Sequence, residues 1–321
     1  MRRLQNRSLL EVNEDFGNKY NDKRAFLVNI CYKIAMQKIL VTGASGFVGS
    51  RFVKAMQGRY ELLAPTHRQF DITDSRSVKN FIAEHRPQAI LHLAAISNTG
   101  YCEEHPEESY LVNVQGVENI AGAAERHNVK FIFFSSDQVY NGCHEKGLLD
   151  EHTPLAPENH YGRHKLLAEK RALELCSNSV ALRATWMYDT PHEGMSTHPN
   201  FVTNIKKAIE QQSSIKFATR EYRGITWIEE VVENLPHTLA LPAGVYNFGA
   251  ENSMNSYETA RAYCKILGHA PEKFIIADNE RFPAHERNIS ISLKKIQEAS
   301  GGAIKFSDTV EGLKKYEESL R

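Results

Sequence analysis

The chain lacks any apolar run approaching the roughly 18 residues that a membrane-spanning helix needs. Its N-terminus scatters charges where a secretory leader would carry an apolar stretch before a small-residue cleavage site. These absences predict a cytoplasmic protein with no membrane partner. Net charge is missing too: 39 Lys and Arg balance 39 Asp and Glu, so no basic field exists to gather nucleic acid. The five cysteines (Cys31, Cys102, Cys143, Cys176, Cys264) are odd in number, widely spaced and without a Cys-x-x-Cys pair. That argues against a disulfide framework or a structural zinc site and implies a reducing compartment. Fourteen histidines, His152, His160 and His164 among them, form no His-Glu-x-x-His pattern and no convergent Cys/His set, so no metal is expected. Small molecules or other protein subunits remain as partners, with a homodimer as the default assembly.

What the chain does have is length and alternation. At 321 residues it exceeds one compact domain, which predicts a main domain with a smaller partner lobe. Residues 1–37, rich in Arg, Asn, Lys and Asp, read as a poorly ordered N-terminal extension or as an upstream over-extension of the reading frame, since Met36 stands just before the first core strand. From Lys38, short apolar runs alternate with longer segments of helical period, the signature of successive βαβ units. Strands are expected at Lys38–Thr42, Glu61–Pro65, Ala89–Leu93, Lys130–Ser135, Ser179–Arg183, Ser214–Phe217 and Val245–Phe248. Asp74 and Ser75 can cap a helix running to about Glu84, and Pro106 opens one reaching about His127. Beyond Ala184 the spacing becomes irregular, as where a chain leaves a sheet to build a second lobe. The expected fold is α/β: a Rossmann-type doubly wound parallel sheet mainly in residues 38–185, and a smaller C-terminal substrate lobe mainly in 186–321, with some strands returning to the sheet.

Two constellations carry chemistry. Val41-Thr42-Gly43-Ala44-Ser45-Gly46-Phe47-Val48-Gly49 follows a predicted strand and opens a predicted helix. In that frame one glycine allows a tight turn, another lets the backbone approach a pyrophosphate, and a third lets helix and strand pack closely, while the helix N-terminus offers N–H donors. Gly43, Gly46, Phe47, Val48 and Gly49 are therefore expected to bind a dinucleotide. At the end of the second strand, where an acid would meet an NAD ribose, stand Thr66, His67 and Arg68. Arg68 can meet a 2′-phosphate, which favours NADP(H) over NAD(H). Asp71-Ile72 is placed to hold the adenine ring, or Asp71 to cap the next turn.

Tyr161 and Lys165 form the second constellation with Ser136. An i, i+4 Tyr/Lys pair alone says only that both share a helical face. Here Tyr161 follows by 25 residues a serine at the C-terminal end of the fourth strand, the edge where open α/β sheets bind ligands. Tyr161 is the expected general acid for carbonyl reduction and base for alcohol oxidation. Lys165 would depress the phenol pKa and hold the nicotinamide ribose, and Ser136 would hydrogen-bond the substrate oxygen.

With the glycine motif, Leu93-Ala94-Ala95, Asn113, Ser135-Ser136-Asp137 and Tyr161-Gly162-Arg163-His164-Lys165 in order, the chain resembles the extended short-chain dehydrogenase/reductases over residues 38–320. The resemblance implies that Ala94 and Ala95 line the cofactor and that Asn113 braces the site through its helix. Within that superfamily the chain is most similar to the dTDP-4-dehydrorhamnose reductase branch. The stretches concerned are Asp71–Asp74, Cys102-Glu103 with Pro106-Glu107, Ser135–Gly142, Leu182–Tyr188 and Asn200–Val202. That branch reduces the 4-keto group of a nucleotide-linked deoxysugar with NADPH or NADH; by resemblance Asp137, Trp186 and Asn200 lie near the sugar nucleotide.

Departures from the branch fall in the substrate lobe. Where it carries Asp-Gln-x-Gly-x-Pro-Thr, this chain reads Arg220-Glu221-Tyr222-Arg223-Gly224-Ile225-Thr226. An Arg-Pro-x-x-Ser/Thr region becomes Arg281-Phe282-Pro283-Ala284-His285-Glu286-Arg287, and Ser136 replaces a threonine while keeping the hydroxyl. The related 4,6-dehydratases place Asp-Glu after that hydroxyl; Asp137-Gln138 here lacks the carboxylate that takes the C5 proton, which argues against dehydration. Sugar-nucleotide epimerization, or a non-catalytic NADP-binding regulatory subunit, are the alternatives.

Overall fold

The apolar runs of the N-terminal half become parallel strands, buried on both faces except at the sheet edge. In the computed structural model, which describes residues 37–190, 192 and 194–321, they are β1 (Lys38–Thr42), β2 (Glu61–Leu63), β3 (Ala89–His92), β4 (Lys130–Ser136) and β5 (Ser179–Ala184). The N-terminal extension read in the sequence, up to Met36, lies outside the described residues. Side chains of β1 alternate between two cores: Ile39 and Val41 pack with Phe52 and Met56, whereas Leu40 packs with Val78 and Ile82. Burial on both sides is why such strands are continuously apolar. β2 stops at Leu63, two residues short of the expected end. Pro65 has no amide hydrogen for the ladder, and a turn closed by Gln69 N donating to Thr66 O at 3.0 Å follows at once.

The connecting helices are α1 (Phe47–Met56), α2 (Ser75–His85), α3 (Thr99–Glu104), α4 (Pro106–Tyr110), α5 (Gly116–Arg126) and α6 (His160–Leu175). Asp74 caps α2 by accepting from Arg76 N at 2.8 Å. The helix expected from Pro106 to His127 is present in three parts, because a π-helical turn at Leu111–Gln115 joins α4 to α5.

After β5 the chain builds a second lobe from β6 (Trp186–Tyr188), α7 (Phe201–Glu210), β7 (Ile215–Ala218), β8 (Glu221–Arg223), β9 (Ile225–Trp227) and α8 (Ile228–Asn234). It then returns to the sheet as β10 (Gly244–Phe248), and ends through α9 (Ser256–Ile266), β11 (Ile275–Asp278), β12 (Arg287–Ile289), α10 (Lys294–Ala299) and α11 (Thr309–Ser319). Strands of the lobe pair in twos, β6 with β9, β7 with β11 and β8 with β12, over a core that includes Phe201, Ile205, Tyr263 and Leu313.

The main sheet runs β10-β5-β4-β3-β1-β2, all parallel. From β1 the chain steps outward to β2, then crosses back to start β3 on the other side of β1. This reversal opens a crevice at the carboxyl ends of β1 and β3, the position where doubly wound sheets take ligands. Among the described residues no helix is long and apolar enough to cross a membrane, and Cys102, Cys143, Cys176 and Cys264 are free and buried.

Candidate active site

The turn after β1 is built for close approach. Gly43 has φ of +66°, and a Cβ there would stand 2.7 Å from Ala94 N; a Cβ on Gly49 would stand 2.2 Å from Gly43 O. Side chains are therefore excluded at Gly43 and Gly49, and α1 follows its cap residue Gly46 with no side-chain cap bond and no acid in its first turn. Its N-terminal amides and positive dipole end are free for an anion, so this cradle fits the pyrophosphate of a dinucleotide.

β4 ends on Ser136, and α6 returns alongside it with Tyr161, Lys165 and Glu169 on one buried face, at intervals of four residues. Glu169 anchors that face. It accepts from Ser135 Oγ at 2.5 Å and pairs with Arg183 of β5 at 2.8 Å, and Arg183 in turn donates to Tyr140 at 2.8 Å. Both charges of the Glu169–Arg183 pair are buried, and the hydrogen bonds around them offset their desolvation. Above this anchor Lys165 Nζ donates to Phe134 O at 2.8 Å and lies 5.8 Å from the centre of the Tyr161 ring.

Burial dominates the electrostatics. It pushes the Tyr161 phenol well above its usual range, against the Ser136 hydroxyl and with the charges of Asp137 and Cys102; the depression by Lys165 expected from the sequence is not seen, because burial outweighs it. The same burial pulls Lys165 down to about 8, opposed by Cys102 and Glu169. Asp137, 2% exposed, is raised by burial, while Arg223 and Arg287 work to keep it charged.

A cleft of about 1270 Å³ joins these parts. Of the residues singled out in the sequence, it brings together Gly43, Gly46, Phe47, Val48, Gly49, Ala95, Ser136, Asp137, Tyr161, Lys165 and Trp186. Five others do not line it. Ala94 lies beneath Gly43 as its floor, donating its amide to Thr42 Oγ1 at 3.2 Å. Arg68 is exposed in the turn after β2. Asp71 accepts from Thr73 N and Oγ1 at 2.9 and 2.7 Å, the capping alternative, and these bonds hold its carboxyl below the usual range. Ile72 is 8% exposed and packs against Gly116.

The structure places Asn200 outside the cleft lining: it is 1% exposed and caps α7, accepting from Thr203 N at 3.0 Å and donating to Asp189 O at 2.9 Å. Both ends of its amide are engaged in this cap, and its neighbours Pro199 and Phe201 line the cleft.

The sequence reading missed the arginines of the substrate lobe. Arg223 lies 4.9 Å over the Trp186 ring and 3.4 Å from Asp137 Oδ2. Arg287 donates to Gln138 Oε1 at 2.7 Å and to Asn141 Oδ1 at 3.2 Å, and pairs with Glu221. The signal was present: all three charged residues come from the two stretches that depart from the branch pattern.

The family model described as the RmlD substrate binding domain matches residues 36–316. The chain belongs to this family. Among curated relatives it is similar to the dTDP-4-dehydrorhamnose reductase of Aggregatibacter actinomycetemcomitans, at 28% identity over 87% of this chain and 98% of that one. Two solved structures of proteins so named carry the same fold. The Clostridium acetobutylicum protein has a TM-score of 0.77 at 22% identity, covering 88% of this chain and 99% of that one. The Bacillus anthracis protein, solved in complex with NADP, has a TM-score of 0.76 at 20% identity, covering 88% and 98%. Membership of the RmlD family accords with a doubly wound sheet that carries its glycine turn and its Ser136, Tyr161 and Lys165 on one cleft.

Proposed function

We propose that the protein is an NADPH-dependent oxidoreductase that reduces a keto group on a nucleotide-linked sugar, of the dTDP-4-dehydrorhamnose reductase kind, with NADH as the alternative reductant. The observation that carries this reading is a buried Tyr161 beside Ser136 and Lys165, in the cleft that also holds the glycine cradle. Relatives named dTDP-4-dehydrorhamnose reductase, one of them solved with NADP, support the substrate class and the cofactor.

When bound, the reduced nicotinamide supplies a hydride. Gly43, Gly46 and Gly49 would admit its pyrophosphate and Lys165 would hold its ribose. Ser136 turns its hydroxyl from Asp137 Oδ1, 3.2 Å away, toward the substrate carbonyl oxygen. Tyr161 releases its proton to that oxygen as the carbonyl becomes an alcohol, and the positive charge of Lys165 stabilises the phenolate left behind. Asp137 and Trp186, with Arg223 and Arg287, shape the sugar end. In this reading residues 38–185 hold the cofactor and residues 186–321 shape the substrate end. The cytoplasmic placement rests on the four described cysteines, which are unpaired.

The test follows loss of reduced-cofactor absorbance with a panel of nucleotide-linked 4-keto sugars. Wild type should oxidise NADPH only when a keto sugar is present, and Tyr161→Phe should lose at least about a thousandfold in kcat while binding NADPH normally. Interconversion of sugars without net NADPH loss would replace this reading with epimerization.

A further inference from the structure

One histidine stands inside the catalytic motif without taking part in the proton transfer just described. His164 lies on α6 between Tyr161 and Lys165 in sequence, yet it points away from the cleft toward α4, where its ring meets the edge of Tyr110 at 5.8 Å. It is 9% exposed, and its Nδ1 is 2.8 Å from the hydroxyl of Ser109, which is fully buried. Ser109 also receives a hydrogen bond from Asn113 Nδ2 at 3.2 Å. Asn113, 1% exposed, holds the backbone of Ile96 from both sides, accepting from its N–H at 3.0 Å and donating to its carbonyl at 2.9 Å.

The contacts of Ile96 fix the Asn113 end of this chain. The two bonds to Ile96 leave no choice of orientation for the Asn113 amide, so its NH2 faces Ser109. Ser109 is then an acceptor toward Asn113, and its 2.8 Å bond to His164 Nδ1 completes the chain, an arrangement that a neutral ring satisfies in either tautomer. Burial of His164 disfavours the charged ring, in agreement. Asn113 sits within the π-helical turn Leu111–Gln115, an irregularity that often marks functional positions in helices. At the far end of the chain, Ser97 and Asn98, directly after Ile96, line the same cleft as Tyr161.

We propose that His164 and Ser109 are positioning residues: through Asn113 they tie the cleft loop Ile96–Asn98 to the helix that carries Tyr161 and Lys165. The inference rests on the reading of that helix as the reaction's machinery. Hydride and proton must reach one carbonyl group from groups held on these two elements, so a loosened tie lowers the fraction of complexes in reactive geometry. Binding of cofactor and sugar nucleotide is spread over many other contacts and is affected less.

The test compares His164→Ala, His164→Asn, Ser109→Ala and the Ser109→Ala/His164→Ala double variant. Two readouts are used: steady-state reduction of the keto sugar found active with wild type, and hydrogen exchange of the amides of residues 96–98. His164→Ala should lower kcat about tenfold with KM for both NADPH and sugar nucleotide within about threefold, and should speed exchange at Ile96 about tenfold. Asn at position 164 can still hydrogen-bond Ser109 as donor or acceptor, so His164→Asn should recover most of both losses. Ser109→Ala should match His164→Ala, and the double variant should lose no more than either alone, because all three cut one chain. Unchanged kcat and unchanged exchange in His164→Ala, or losses that simply add in the double variant, would overturn the proposal. If wild type reduces none of the keto sugars, the functional reading fails on its own, and the exchange comparison in the cofactor-bound protein still decides whether His164 holds the loop.

Discussion

Lys165 bears a cost in the folded chain that its role in the cleft explains. Its ammonium is buried and its pKa falls from 10.5 to about 8. Between those values the unfolded chain binds more protons than the folded one, so folding stability rises with pH across the window from about 8 to 10.5. Below it, at pH 7, the penalty of holding a buried charge is fully present. Lys165→Met should therefore stabilise the cofactor-free protein by on the order of 2 kcal/mol at pH 7, with the difference fading toward pH 10.5, as read by urea unfolding at both pH values. A Met variant less stable than wild type at pH 7 would mean that the bond to Phe134 O outweighs desolvation. The same titration sets the reaction's alkaline side: kcat/KM for reduction should fall as pH rises through about 8, because a neutral lysine cannot support the Tyr161 phenolate. Lys165→Arg should carry that limb to higher pH. Buried charge kept for function at the expense of stability is a familiar compromise at active sites.

At the level of elements, the glycine turn makes the strongest demand on sequence. A Cβ on Gly49 would overlap Gly43 O at 2.2 Å and Ala44 Cα at 2.8 Å, and no flexible side chain is there to yield. Gly49→Ala should weaken NADPH binding at least about a hundredfold, measured by cofactor fluorescence; an unchanged affinity would mean that the loop can open without loss of its cradle. This turn, β1, β3, β4 and β5 were legible in the sequence for one physical reason. Strands buried on both faces must be apolar throughout, and the turns that bound them need Gly or polar residues. Tyr161 and Lys165 were legible by their distance from the end of β4. Of the second lobe's paired strands only β7 was legible, expected at Ser214–Phe217 and found at Ile215–Ala218; the others are three or four residues long, pair only in twos, and mix buried with half-buried positions, as in Glu221–Arg223. Asn200 shows the limit at a single position: an asparagine ahead of an apolar helix fits a cap and a ligand contact equally well until its partners are known. Arg223 and Arg287 are far apart in sequence, and only the pairing of β8 with β12 sets them around Asp137 and Gln138.

Across the whole molecule, the sheet and the second lobe are joined by charged side chains as well as by apolar packing. Arg51 of α1 pairs with Asp189 at 2.7 Å, with both side chains 6% exposed or less, and also donates to Phe47 O and Ser196 O. The pair therefore ties the helix behind the glycine turn to the segment that leaves β6 for the substrate lobe. Arg223 and Arg287 make the second tie, from the lobe back to the turn after Ser136. Buried pairs add little over an apolar replacement, but losing one partner strands the other charge. Asp189→Ala should accordingly lower stability by about 3 kcal/mol, and the loss should be as large at 1 M as at 0.1 M NaCl, since screening acts mainly on exposed charges. Wild type should unfold in one calorimetric transition if these ties couple the two parts. Saturating NADPH should raise the melting temperature of the variant as well as of wild type, since a ligand that binds only the folded chain stabilises it by mass action. A variant that melts with wild type, or whose deficit disappears in high salt, would place Arg51 and Asp189 outside the joint and leave apolar packing to couple the lobe to the sheet.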